Sequence, residues 1–99
     1  MSARILSMST FTWKQPVADA DVDRVDKIVA ELAAALDGVE RIEFGRSLRM
    51  SPISRDYGIS ILFRDVDAFR GYLADPRHHE LREVTEAMAE DVAIVQLAR

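Results

Sequence analysis

Val39-Glu40-Arg41-Ile42-Glu43-Phe44-Gly45-Arg46-Ser47-Leu48-Arg49-Met50, followed after a short gap by Tyr57-Gly58-Ile59-Ser60-Ile61-Leu62-Phe63-Arg64, carries the architecture of this chain. In the first segment Ile42, Phe44, Leu48 and Met50 fall on one face of an extended backbone, and Arg41, Glu43, Ser47 and Arg49 on the other. That period of two belongs to a half-buried strand. In the second segment Tyr57, Ile59, Ile61 and Phe63 keep the same phase. Ser51-Pro52-Ile53-Ser54-Arg55-Asp56 between them has loop composition, so the middle of the chain is expected to be an antiparallel hairpin.

Outward from this hairpin the pattern changes to helical spacing on both sides. Upstream, Val22, Val25, Ile28, Val29, Leu32 and Leu36 recur every three or four residues, with Asp19 or Asp21 placed to cap the start and Gly38 placed as a left-handed terminator. Downstream, Asp65 is expected to cap a short helix carrying Val66, Phe69, Tyr72 and Leu73, which stops near Asp75 because Pro76 follows. Pro76 then suits the first turn of a further helix capped by Asp75, with Leu81, Val84 and Met88 inside. Arg4 to Trp13 and Val92 to Ala98 are expected as the first and last strands. The order is βαββαβ, an α+β domain with a four-stranded antiparallel sheet whose second crossover is broken into two helices.

Right-handed crossovers in such a sheet put their helices on one face and leave the other bare. Yet Leu6 and Met8 oppose Phe11 and Trp13 by parity, Leu62 opposes Ile61 and Phe63, and Ile94 opposes Val95. A bare apolar sheet face of several hundred Å² is an aggregation liability. A second copy, sheet against sheet about a two-fold axis, is the simplest cover, and a homodimer through the sheet face is expected.

At 99 residues the chain has room for one core, so a single domain over 1–99 is expected. Thirteen Lys and Arg against 17 Asp and Glu give a net charge of −4, interspersed without a basic stripe, which argues against nucleic acid and an anionic membrane surface. Its cysteine count of zero removes disulfides, thiolate metal sites and Cys nucleophiles. Met1-Ser2-Ala3-Arg4 leads into a short mixed segment, not the apolar core of a signal peptide, and Ile28 to Leu36 falls short of the roughly 20 residues a bilayer span needs. A cytoplasmic protein with no membrane contact is the expectation.

Phe11-Thr12-Trp13-Lys14, Gly38-Val39-Glu40 leading to Phe44-Gly45-Arg46-Ser47-Leu48, Ile61-Leu62-Phe63, and above all Tyr72-Leu73-Ala74-Asp75-Pro76-Arg77-His78 resemble the stress-responsive dimeric α/β-barrel family, often called Dabb. The Tyr-(x)3-Pro-x-His string is its most specific piece, and the likeness spans nearly the whole chain. It implies a ferredoxin-like protomer, a homodimeric α/β barrel, and a pocket between sheet and helices in each protomer. It also implies kinship with stress-linked proteins and with polyketide cyclases that use a Tyr and a His in that pocket, without metal or organic cofactor. Those roles carry onto Tyr72 and His78. The chain departs from the cyclase pattern in the first strand, where a His is common and Ile5-Leu6-Ser7-Met8-Ser9 has none; Ser7 is its counterpart. A neutral hydroxyl orients a ligand but does not exchange protons near pH 7.

Helix spacing separates the two adjacent histidines. His78, Leu81, Thr85 and Met88 share the inward stripe, whereas His79, Glu83, Glu86 and Glu90 share the outward one. The helix N-terminus and Arg82 one turn on both disfavour an imidazolium at position 78, so a neutral ring is expected there. His78 then suits a base, and Tyr72 a donor to a carbonyl, with a space-filling role for both as the plain structural alternative. No metal is expected, because His78 and His79 diverge by about 100° and no H-E-x-x-H spacing exists. Trp13 is expected in the core, Arg41, Arg46, Arg49 and Arg55 in surface pairs with residues such as Glu43 and Asp56, and Asp19, Asp21, Asp23 and Asp26 on a solvated helix face.

Two functional readings of different class follow. In the first, a dimeric binding protein holds a small apolar or aromatic molecule in a pocket lined by Ser7, Phe11, Val29, Phe69, Tyr72, His78 and Leu81. In the second, a cofactor-independent cyclase or lyase uses His78 to remove a proton next to a carbonyl, and Tyr72 to hold the resulting enolate. A cavity of about 300 Å³ or more bearing both side chains favours these over a purely structural dimer.

Overall fold

A computed structural model describes residues 3–99. The elements are β1 (Ile5–Trp13), α1 (Asp19–Ala35), β2 (Val39–Arg46), β3 (Tyr57–Phe63), α2 (Val66–Ala74), α3 (Pro76–Met88) and β4 (Ala89–Ala98). All strand pairs are antiparallel, in the order β2-β3-β1-β4. This is the βαββαβ ferredoxin-like arrangement with α2 and α3 sharing the second crossover.

Alternation along β3 is complete. Tyr57, Ile59, Ile61 and Phe63 are buried and the residues between them are half-buried. The buried set faces α1, whose Val22, Val25, Ile28, Val29 and Leu32 form one buried stripe. At the Trp13 end of β1 an aromatic cluster closes the core, with Phe11 and Trp13 stacked at 5.4 Å and Tyr57 5.6 Å from Trp13. Trp13 is thus a core residue, as its lone aromatic body suggests.

Three boundaries differ from the sequence reading. No aspartate side chain caps α1. Its N-cap is Ala18, whose carbonyl accepts from the Asp21 and Val22 N–H groups at 3.1 and 3.3 Å, while Asp19 and Asp21 occupy the first turn, where carboxylates suit the dipole. The second strand ends at Arg46, not Met50. Ser47 N–H donates to the Asp56 carbonyl at 2.8 Å, and Asp56 is fastened to β1 through Phe11 O and Trp13 N–H, each at 2.8 Å. The loop so closed turns Leu48 and Met50 into solvent, at 84% and 86% exposed. The last strand begins at Ala89, directly after α3, with Ala89 paired to Trp13 across a register shift. Glu90, placed by spacing on the outward stripe of the last helix, lies instead in this strand, where an edge position tolerates small and charged residues such as Ala89, Glu90 and Asp91.

Gly38 ends the α1–β2 turn at φ +87°, and a Cβ there would lie 2.5 Å from the Ala68 Cβ. Both the left-handed backbone and the close approach of α2 require glycine.

On the face away from the helices, Leu6 pairs with Leu62 on one side and Leu97 on the other, and Met8 with Val95. Flanked this way, Leu6 is buried within the protomer, whereas Val95 is 45% exposed.

Candidate functional site

Asp75 builds the site. The α2 helix is capped by Asp65, whose carboxylate accepts from Ala68 N–H at 2.8 Å, and ends at Ala74, because Pro76 disfavours helical backbone at Asp75. Asp75 then caps both helices. Its N–H donates to Tyr72 O at 3.2 Å, and its carboxylate accepts from Arg77 N–H at 2.8 Å while its carbonyl accepts from His78 N–H at 3.0 Å. Tyr72 in the last turn of α2 and His78 in the first turn of α3 thereby face each other, with ring centroids 4.4 Å apart and planes tilted by 55°. Phe63 from the sheet backs Tyr72 at 5.0 Å.

The two rings open onto a cavity of about 360 Å³ between the sheet and the α2–α3 pair. Ser7, Ser9 and Phe11 of β1 and Ile59 of β3 floor it, and Val92, Ile94 and Gln96 of β4 form its outer side. Phe69, Tyr72, His78 and Leu81 cover it, with Arg82, Thr85 and Glu86 further along α3.

Electrostatically, both central groups are held neutral. Burial pushes the Tyr72 phenol up to about 12. Burial is also the main force lowering His78 below the ordinary histidine value, and Arg82 and His79 add to it. The Leu73 backbone and Asp75 pull the other way. Nδ1 of His78 is buried with no hydrogen-bond partner. His78 lines the cavity, and Nε2 is its remaining ring nitrogen. Ser7 is buried and accepts from the Gln96 side chain at 3.4 Å, leaving its own hydroxyl hydrogen to donate. The Thr85 hydroxyl is engaged inside α3, donating to Leu81 O at 2.9 Å. In sum the cavity offers apolar walls, a phenol donor, a neutral imidazole and a Ser–Gln pair.

Ser7, Phe11, Phe69, Tyr72, His78 and Leu81 all reach this one cavity. Val29 does not. It is fully buried in the interface of α1 with the sheet, because the α1 stripe is consumed by the core and the cavity opens on the α3 side. Ser9, Gln96, Arg82 and Thr85 were not singled out as lining residues. Ser9 was legible from its parity with Ser7 and Phe11, and Thr85 from the His78 stripe; Gln96 needed the pairing of β4 against β1, where it lies opposite Ser7. His79 is exposed, as its stripe requires. The arginines around β2 are paired, Arg41 with Glu43 at 3.5 Å, Arg46 with Asp23 at 3.0 Å, Arg55 with Asp91 at 2.6 Å, and Arg49 with Asp56. Among the described residues no three His, Cys, Asp or Glu side chains cluster as metal ligands would, and no helix is long and apolar enough to cross a membrane.

The sequence profile of the stress responsive A/B barrel domain (Dabb) matches residues 5–98. The chain belongs to the Dabb family. Among solved structures, a dimeric ferredoxin-like protein of unknown function from Thermobifida fusca superposes with a TM-score of 0.91 at 24% identity, covering 100% of this chain and 93% of that one. The hydroxynitrile lyase of Passiflora edulis superposes at 0.82 with 12% identity, covering 100% and 95%. SnoaB, a cofactor-independent oxygenase from Streptomyces nogalater, superposes at 0.77 with 20% identity, covering 99% and 94%. At these identities the likeness is one of fold. No curated protein matches the sequence significantly.

Proposed function

We propose that this Dabb protein is a cytoplasmic homodimer that binds a small apolar or aromatic molecule carrying a hydrogen-bonding oxygen, in the cavity between its sheet and α2–α3. The observation that supports this best is the pairing of Tyr72 and His78 at 4.4 Å in an otherwise largely apolar cavity of about 360 Å³. That volume suits a ligand the size of a bicyclic aromatic. The dimer draws support from the apolar face at Leu6, Met8, Leu62, Val95 and Leu97, and from the dimeric state of the ferredoxin-like protein it resembles. The test is a two-dimensional NMR titration with 2-naphthamide. Shifts concentrated at Phe69, Tyr72, His78 and Leu81, with Val29 little moved, are the expected result; no shift, or shifts spread over the exposed surface, would remove the reading.

The second reading is catalysis, and the neutral state of His78 beside a protonated Tyr72 favours it. In that reading His78 Nε2 takes a proton from the carbon next to a ligand carbonyl, the C–H electron pair becomes the enolate, and the Tyr72 hydroxyl donates to the enolate oxygen. The fold is shared with a lyase and a cofactor-independent oxygenase, which suits such cofactor-free chemistry. Exchange of the methyl protons of 2-acetonaphthone into D2O tests it directly. The protein is expected to accelerate exchange and H78A to lose the acceleration; equal rates for both proteins would end the catalytic reading and leave the binding one intact.

A further inference from the structure

Among the described residues around the cavity, Arg82 carries the one fixed positive charge and Glu86 the one negative charge. They pair with each other on α3, Arg82 donating to Glu86 Oε1 at 3.1 Å, and both side chains are 64% exposed. An i,i+4 pair in water contributes little to a helix, so its two members remain available to a better partner.

The two ends of the pair are not equivalent. Arg82 is about one helical turn from His78 and Glu86 about two, roughly 6 Å farther along the axis. The positive charge is therefore the one nearer the Tyr72–His78 end, and Arg82, not Glu86, is among the groups that act on the His78 ring. The floor and the outer side present no competing acid: Ser7, Ser9 and Gln96 are neutral donors and acceptors.

We propose that the cavity takes an aromatic or alkyl carboxylic acid as its carboxylate, the apolar body lying between Phe11, Ile59, Phe69 and Leu81 and the carboxylate displacing Glu86 from the guanidinium of Arg82. A planar monoanion matches the guanidinium fork. A phosphate dianion would bring more charge than a single arginine neutralises, with Glu86 still alongside. The proposal rests on the cavity being a ligand site, and it adds the charge class of the ligand.

Isothermal titration with 2-naphthoate and its neutral isostere 2-naphthamide separates the two claims. Naphthoate is expected to bind about fivefold tighter than naphthamide at low salt, the upper range of an exposed charge pair, and to lose that margin as salt is raised. R82Q is expected to bring naphthoate down to the affinity of naphthamide, and E86Q to strengthen naphthoate by removing its competitor. Equal affinity of the two probes for the wild type, or a naphthoate preference that survives in R82Q, would overturn the carboxylate assignment while leaving the cavity reading standing. Binding of neither probe would overturn both. Tighter binding of 2-naphthyl phosphate than of naphthoate would replace the carboxylate with a phosphoester.

Discussion

Tyr72 and His78 stand with ring centroids 4.4 Å apart because a proline breaks the helix between them. On one continuous helix the two residues would lie more than a turn apart and on different faces. The Asp75-Pro76 break folds α3 back so that the last turn of one helix and the first turn of the next share a cavity wall, and each ring shields the other from water. Their perturbed acidities follow from that mutual burial.

His78 sets a pH dependence of known sign. The unfolded residue takes up its proton near pH 6.5, the folded one only at lower pH. Between the two values the unfolded chain holds more protons, so the stability this residue contributes falls as pH falls below 6.5 and has no slope above it. NMR titration of the ring protons is expected to give His78 a midpoint below 6.5, and the urea midpoint of the wild type is expected to drop more than that of H78Q between about pH 7.5 and pH 5.5. A His78 midpoint at or above 6.5 would contradict the burial.

Asp75 holds the geometry without touching the cavity's contents. Asp75→Ala removes the acceptor of the Arg77 N–H and is expected to cost about 1 kcal/mol, the usual worth of an N-cap. Because the same residue joins the two helices, nuclear Overhauser contacts between the Tyr72 and His78 rings should weaken in the variant. Asp75→Asn, which keeps a capping oxygen, should recover both.

Val29 belongs to the core and not to the cavity, which separates stability from binding. Val29→Ala is expected to cost about 2 kcal/mol in urea unfolding, from the deleted methyls and the void they leave. Its affinity for 2-naphthamide, measured well below the unfolding midpoint, should match the wild type. A loss of affinity at unchanged stability would return Val29 to the site.

The proposed dimer is tested at Val95, opposite Met8 on the helix-free face and 45% exposed in the protomer. Val95→Asp places a charge on the sheet face proposed to meet its copy, and sedimentation velocity at micromolar concentration is expected to show a dimer for the wild type and a monomer for the variant. A monomeric wild type would refute the sheet-face dimer.

The chain's own periodicities determined most of the architecture. Tyr57 to Phe63 alternates without exception, the α1 stripe from Val22 to Leu32 has helical spacing, and Asp65 and Asp75-Pro76 punctuate the last two helices, all of them interactions between residues close in sequence. The Tyr-(x)3-Pro-x-His string likewise marked Tyr72 and His78 before their rings were seen together. What lay beyond it were the outcomes of contacts between distant segments. Val29 and Val25 look alike on a helical wheel, and only the packing of α1 on the sheet consigns both to the core and opens the cavity under α3. Leu48 and Met50 resume the phase of Ile42 and Phe44 beyond Arg46, yet Asp56, bound to Phe11 and Trp13 of another strand, ends the ladder at Arg46. Local chemistry chose which elements form; the competition of remote partners for the same backbone groups and the same apolar surface decided where they stop and what they enclose.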